Sequence, residues 1–457
     1  MHAAVNFAGP GPKLRARANL VAAPSRPANA IAAFADRMAA LGFGVHTLAA
    51  EEAAASPEQA DALIIDGGEI DGGLGDDAIE ALIDAWRLNA APHAPVLLLA
   101  PSHHAVDMIA RYGETSDVTL AGLDAPHGIA TRLRLLLRRR NLEAETELRT
   151  SAGLCAPPPL SRLNPQKRDR RIIVAPAPSR EFAPVARIVD AAGFSATGAS
   201  RISLAFDYLR AKNHIGAVAL QDDPQDASAL RFCAQLRRNV RHRELPAFLI
   251  ANAATAEARD FAYEMGATDI IPPAEIDTLL QPFLAAGVGS RARFVEARTR
   301  LACSEDLFLD GATGVFAAKS VERHLAGQAH QCDAAGRPLS LIAFRSASNR
   351  RNGGASKLRE SELSAITTLL GRLTRAEDFP ARLSEDVFML SAPFTMHDDA
   401  EAIARRVVAV TANTPLRNGG DAPVKIMLQS GVAQRIPGES VEETLARTLA
   451  ALSRAQI

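Results

Sequence analysis

The sequence predicts an α/β protein made of two doubly wound repeats followed by a third α/β domain. Three observations carry that expectation. Short, continuous apolar runs alternate with helical stretches, the pattern of strands buried on both faces of a parallel sheet. Two stretches, Leu20 to Leu120 and Ile172 to Ile271, resemble each other at a period of about 150 residues. A chain of 457 residues also exceeds what one hydrophobic core supports, so about three domains are expected.

Taken in order, the first repeat opens with a strand at Leu20-Val-Ala-Ala-Pro-Ser-Arg26 and a helix ending at Leu41-Gly42-Phe43. The second opens with Ile172-Ile-Val-Ala-Pro-Ala-Pro-Ser-Arg180 and a helix ending at Ala192-Gly193-Phe194. Buried-type strands follow at Asp61 to Asp66 and Gly216 to Gln221, then at Pro95 to Ala100 and Pro246 to Ala251. Each repeat closes on a further short strand, near Leu120 and Ile271, and Arg132 to Arg149 reads as the last helix of the first. Cys155-Ala-Pro-Pro-Pro-Leu160 cannot prolong that helix, because proline lacks the amide hydrogen and clashes with the preceding turn. The expected boundaries are 15–150 for the first repeat, 151–170 for a proline-rich linker and 171–289 for the second repeat. A linking helix, 290–309, and a third domain, 310–457, complete the chain.

Composition removes several classes of function. Lys and Arg number 51 against 52 Asp and Glu, so no global field draws the chain to DNA or to an anionic membrane. No apolar run approaches the roughly 18 residues that span a bilayer. The first residues lack a basic-then-apolar leader, so a cytoplasmic protein is expected. Cys155, Cys233, Cys303 and Cys332 lie far apart with no C-x-x-C pair, which suits reduced structural thiols and neither a zinc site nor a disulfide framework. No metal and no cofactor are expected.

The two repeats resemble receiver domains of bacterial response regulators, with a flavodoxin-like doubly wound layout and the stretch Gly266-Ala-Thr-Asp-Ile-Ile271. The resemblance implies a phosphoacceptor carboxylate at the end of the third strand, two acids after the first strand to hold Mg²⁺, and Ser/Thr and Lys partners. Asp66 stands at the acceptor position of the first repeat. Its expected partners are absent: Ala22-Ala23-Pro24 follows the first strand, Ala100 replaces the hydroxyl, and Ala121-Gly122 replaces Lys-Pro. Two readings of Asp66 stand, a phosphoacceptor or a residue capping the turn at Gly67-Gly68. In the second repeat Gln221 and Pro272-Pro273 occupy the acceptor and Lys-Pro positions, so no phosphorylation is expected there.

From Asp310 onward the chain resembles a GGDEF domain, the fold of diguanylate cyclases. Asp310-Gly-Ala-Thr-Gly314-Val-Phe316 matches the family's opening turn, and Pro338-Leu-Ser-Leu-Ile-Ala-Phe344 its first central strand. Arg382-Leu-Ser-Glu-Asp-Val-Phe388 occupies the signature hairpin, and Ser430-Gly431-Val432-Ala433 a later strand. The resemblance implies a central, mostly antiparallel sheet. It also implies a cyclase site in which Mg²⁺ ions polarise phosphate and activate a hydroxyl. Here that site is eroded. Arg345 stands where the first metal-binding Asp is expected, and a guanidinium repels a metal ion. The two glycines that let backbone approach the triphosphate are Ser384 and Glu385. Asp386 remains, but Val387 follows it in place of Glu. The guanine-reading residues have no counterpart in Arg350 to Lys357, and Gln456 falls near an expected phosphate-contacting Lys. Cyclase activity is not expected.

Before that hairpin lies Arg375-Ala-Glu-Asp378. A planar guanidinium takes a phosphate bidentately, while a nearby carboxylate accepts hydrogen bonds from a base. The spacing alone decides nothing, since Arg187-Ile-Val-Asp190 repeats it and a surface ion pair accounts for either copy. The offset from the hairpin, with Phe379 to Leu383 between Asp378 and Ser384, is that of the family's inhibitory site for an intercalated cyclic di-GMP dimer. By the same resemblance an Arg one helix further on joins it, which places Arg406 there, with Arg405 next in register. Arg180 and Arg187 are candidates for a second basic surface.

The resemblance thus implies a member of the PleD-related receiver–receiver–GGDEF family that has lost catalysis and kept Arg375, Asp378 and Arg406 for cyclic di-GMP. The expected role is an effector or adaptor, by resemblance at a cell pole, bringing a cell-cycle transcription factor to ClpXP with an RcdA-like adaptor. Homodimerisation belongs to the same expectation; DNA binding and membrane insertion do not. Two alternatives stand beside it: a phospho-dependent response regulator signalling through Asp66, and an active cyclase.

Overall fold

A computed structural model describes residues 16–55, 60–68, 74–90, 93–154, 171–176, 182–211, 215–223, 226–239, 242–301, 308–347, 360–414 and 426–455. Its contacts divide the chain into two units. The first comprises Met1–Arg140 with Leu163–Glu296, the second Asn141–Arg162 with Ala297–Ile457.

The first unit holds two parallel five-stranded sheets. One is built from β1 (Ala16–Val21), β2 (Phe43–Thr47), β3 (Ala62–Asp66), β4 (Val96–Leu99) and β5 (Asp117–Thr119) in the order β2-β1-β3-β4-β5. The other repeats that order with β6 (Arg171–Ala175), β7 (Ser195–Gly198), β8 (Ile215–Gln221), β9 (Ala247–Ile250) and β10 (Asp269–Ile271). This is the flavodoxin-like order, whose functional edge is the carboxyl end of the strands beside β1 and β3. Helices α1 (Ala28–Ala40), α2 (Ala50–Ala55), α3 (Asp76–Asn89), α4 (Ser102–Tyr112) and α5 (Pro126–Ser151) alternate with the first set of strands. Helices α6 (Phe182–Ala191), α7 (Ile202–Ala211), α8 (Ser228–Arg238), α9 (Ala256–Glu264) and α10 (Ile276–Leu301) do so with the second. Strands β3 and β4 are buried at every position, which is why their sequences are apolar apart from Asp66 at the end of β3.

Polar clasps join the two repeats within this unit. Asp269 is fully buried; it accepts from Thr119 Oγ1 at 2.8 Å, from the Leu120 amide at 3.1 Å and from Arg132 Nη2 at 2.5 Å. Asp260 accepts from the His127 amide at 2.9 Å and from Arg37 at 2.6 Å. Each buried carboxylate therefore has charged or amide donors, as low dielectric requires.

Several expected boundaries move. The strand expected from Leu20 to Arg26 runs from Ala16 to Val21, and Arg26 instead closes a turn on the Ala23 carbonyl. The last helix of the first repeat starts at Pro126 and ends at Ser151, longer than Arg132 to Arg149 at both ends. The break expected at 289/290 falls inside α10, which runs through Pro282 to Leu301. Gly287 in that helix serves packing, since a Cβ there would stand 2.8 Å from the Phe248 ring. The linker 155–170 lies outside the described residues.

The second unit contains a mixed sheet of β11 (Phe316–Ala317), β12 (Leu339–Ala347), β13 (Phe379–Arg382), β14 (Val387–Pro393) and β15 (Met427–Gln434), ordered β11-β13-β14-β12-β15. The pair β11·β13 is parallel and the others are antiparallel, as expected for this domain. Along β12, side chains alternate between faces. Ile342 and Phe344 join Ile366 of α12 (Glu360–Leu373) and Val407 of α13 (His397–Asn413) in one core. Leu341 joins Val321 and Leu325 of α11 (Val321–Ala334) in another. The last helix, α14 (Val441–Arg454), starts on a Ser440–Glu443 capping box and presses so close to β15 that a Cβ on Gly431 would lie 2.1 Å from the Leu452 nitrogen. Cys233 and Cys332 are buried free thiols whose pKa burial raises to about 12 and about 11, which keeps them unreactive. Cys155 and Cys303 lie outside the described residues.

Candidate ligand site

The segment after α12 is a tight turn that aspartate closes. The Asp378 amide donates to the Arg375 carbonyl at 3.3 Å, and Asp378 Oδ2 accepts from the Arg375 amide at 2.7 Å. Phe379 then enters β13 fully buried and carries Glu377 and Asp378 inward with it. The two members of the motif therefore part company: the Arg375 side chain is exposed, whereas Asp378 is 2% exposed. Its second oxygen, Oδ1, is buried without a hydrogen-bond partner. Burial, then repulsion from Glu377, raises the Asp378 pKa to about 7.

Arg406, on α13, reaches the same turn. Its Nη2 donates to the Leu373 carbonyl at 2.6 Å, the C-terminal end of α12, where a cation suits the negative end of the helix dipole. Arg405 is engaged elsewhere, with Glu401 at 3.0 Å. Two guanidinium groups thus belong to one region, Arg375 in the turn itself and Arg406 from α13 by its contact with the end of α12. Guanidinium groups at such a turn can take an anion, whereas Asp378 Oδ1 is buried beneath it.

Beside the turn lies the hairpin between β13 and β14. Arg382 ties it down, donating to the Ser384 carbonyl at 3.0 Å, to the Glu385 carbonyl at 2.9 Å and to both oxygens of Asp310 at 3.0 and 3.3 Å. Burial pushes the Asp310 carboxyl up, but donors on Thr313 and Arg382 outweigh it and hold the group below its ordinary value. Arg345 Nε stands 3.6 Å from Asp386 Oδ2, and Ser384 Oγ donates to Asp386 Oδ1 at 3.1 Å. The carboxylate left for a metal is thus shared with a guanidinium and a hydroxyl. Among the described residues no cluster of three His, Cys, Asp or Glu side chains is placed to hold a metal ion. Arg350 to Lys357 and Gln456 lie outside the described residues.

In the first unit Asp66 is 1% exposed at the end of β3. Arg26 takes both its oxygens, at 2.6 Å and 3.2 Å, and the Gly68 amide donates to Oδ1 at 3.2 Å. Arg26 comes from the loop after β1, where the receiver resemblance implies two acids. Gln221 ends β8 in the corresponding position. Arg187 is exposed on α6, and Arg180 lies outside the described residues.

Sequence reasoning missed two arginines. Arg26 was legible as a basic residue just past β1, but its pairing with Asp66 depends on where that strand ends. Arg149 Nη2 donates to the Asp378 carbonyl at 3.3 Å, a contact between α5 and the turn before β13 that no local pattern announces.

No protein-family profile matches the chain, and no curated protein matches it. Parts of solved structures are similar to its C-terminal third. The GGDEF domain of DgcB from Caulobacter crescentus, in complex with c-di-GMP, shares 20% identity over 33% of this chain and 87% of that one, with a TM-score of 0.30. The FimX GGDEF domain from Pseudomonas aeruginosa shares 17% over 32% and 93%, with a TM-score of 0.30. A sensory box/GGDEF family protein from Caulobacter crescentus shares 24% over 32% and 97%, with a TM-score of 0.29. Among the described residues no helix is long and apolar enough to cross a membrane.

Proposed function

We propose that the chain is a non-catalytic effector that binds cyclic di-GMP at the turn between α12 and β13. The observation that carries this reading is the meeting of Arg406 with the end of α12, one residue before Thr374-Arg375. Arg375 and Arg406 take the ligand's phosphates and the N7/O6 edges of its guanines. Asp378 holds the turn through Oδ2, and its buried Oδ1 meets guanine N–H groups only where the ligand opens the turn. The neighbouring hairpin supplies no catalysis: Arg345 and Ser384 occupy Asp386, and Ser384 and Glu385 crowd the triphosphate path.

By its order of domains and its pattern of losses the chain most resembles PopA, a cyclic di-GMP effector and degenerate relative of the cyclase PleD. On that resemblance, ligand occupancy directs the protein to a cell pole, where it brings a cell-cycle transcription factor to ClpXP with RcdA. Ligand contacts made in one conformational state only would raise the population of that state and expose a docking face. Calorimetric titration with cyclic di-GMP, on the wild type and on Arg375→Ala, tests the reading.

A further inference from the structure

The far end of α5 inserts a charged pair into the core of the second unit. Glu145 and Arg149, 3% and 5% exposed, sit one helical turn apart and bond at 2.7 Å. Around them most polar groups are engaged, while His324 Nδ1 is buried without a hydrogen-bond partner. Glu145 Oε1 stands 2.9 Å from His324 Nε2, and Glu145 Oε2 accepts from Gln328 Nε2 at 2.9 Å. Gln328 in turn accepts from Ser391 of β14 at 2.5 Å. Burial pushes the Glu145 carboxyl up, but Arg149 and His324 outweigh it, so the carboxylate stays ionised. The Arg149 guanidinium lies 5.2 Å from the Phe316 ring and 5.7 Å from that of Phe379, which also stacks on His324 at 4.1 Å. Its two remaining donors reach the Leu301 carbonyl, where α10 ends, and the Asp378 carbonyl, both at 3.3 Å.

Burying a charge this deeply is costly unless its geometry is fully satisfied, and a surface helix end needs no such cluster. One side chain fixes the backbone at the closing residue of the candidate turn and at the last residue of α10. We infer that Arg149, held by Glu145, is a positioning residue for the Arg375–Asp378 turn, so that ligand binding there is linked to the seating of residues 141–151. Linkage is reciprocal: whatever loosens that segment weakens the ligand, and the ligand steadies the segment. The inference rests on the reading of the turn as a ligand site and adds its regulation.

The test uses the full chain. Cyclic di-GMP is titrated calorimetrically into wild type, Arg149→Lys and Glu145→Gln. Hydrogen exchange of the wild type is followed by mass spectrometry with and without ligand. Lysine keeps the charge but cannot fork to two carbonyls, so affinity is expected to fall about tenfold. Ligand is expected to slow exchange in 141–151 as well as around Arg375, a response that a merely structural role would not show. If the wild type binds while both variants keep its affinity and exchange in 141–151 is unmoved, Arg149 does not position the site and the ligand reading stands alone. If the wild type fails to bind, that reading falls and takes the linkage with it. Should either variant misfold, the exchange experiment on the wild type still decides.

Discussion

Arg149 and Asp378 lie 229 positions apart in sequence and meet where the guanidinium donates to the aspartate carbonyl at 3.3 Å. The contact explains why Asp378 faces inward. With its carbonyl held by Arg149 and Phe379 buried behind it, the residue turns its carboxyl back onto the Arg375 amide. Arg375 is left as the solvent-facing half of the motif. The turn is therefore a clasp with one charged group inside and one outside.

That inward carboxyl makes stability depend on pH. Its pKa, about 7, lies above the ordinary value of 3.8, so the native state holds the proton more tightly than the unfolded chain does. The contribution is full below the ordinary value, declines as pH rises and is gone once pH passes about 7. Thermal melts from pH 4 to 8 are expected to show this fall in wild type and a shallower one in Asp378→Asn. Identical profiles would show that Asp378 is not the group responsible.

How much of this was legible in the sequence follows from what each residue depends on. Strands such as β4 and β9 were readable because both faces are buried and the run is apolar throughout. The start of β1 was not legible because Arg17 and Asn19 interrupt the apolar run in its first half, although Asn19 is buried in the fold. Gly287 lies inside α10 and marks a close approach to Phe248. At the candidate site, Arg375 and its offset from the hairpin were visible. The burial of Asp378 was not, because it depends on a helix more than two hundred residues upstream. Nothing local distinguishes Glu145 and Arg149 from an ordinary solvated helix pair.

Gly431 offers a test of the packing between β15 and α14. A methyl group there would stand 2.1 Å from the Leu452 nitrogen, which is backbone and cannot swing aside. Gly431→Ala is expected to destabilise the second unit by about 1–3 kcal/mol, measured by denaturant unfolding. An unchanged midpoint would mean that α14 shifts at little cost.

The hairpin is expected to support no turnover. With GTP and Mg²⁺, chromatography of the reaction is expected to show no cyclic di-GMP. Arg345→Asp alone is expected to leave that unchanged, because Ser384, Glu385 and Val387 still replace the groups the chemistry needs. Product formed by wild type and abolished in Asp386→Ala would overturn the non-catalytic reading.

Asp66 is expected to take no label from a small phosphodonor such as acetyl phosphate. Arg26 engages both carboxylate oxygens, and Ala22 and Ala23 supply no metal ligands. Mass spectrometry showing a phosphoryl group in wild type and none in Asp66→Asn would restore the phospho-dependent reading.

The central claim is that Arg375 faces solvent to take an anionic guanine dinucleotide. The Arg375 side chain is exposed, so Arg375→Ala is expected to melt close to wild type. Each charge-assisted bond to phosphate contributes about 1.5–3 kcal/mol, so affinity is expected to drop roughly tenfold or more. Calorimetric titration of cyclic di-GMP into the two proteins decides. Binding by wild type at micromolar ligand, with that loss in the variant, supports the account; no heat from wild type, or equal affinity in both, contradicts it.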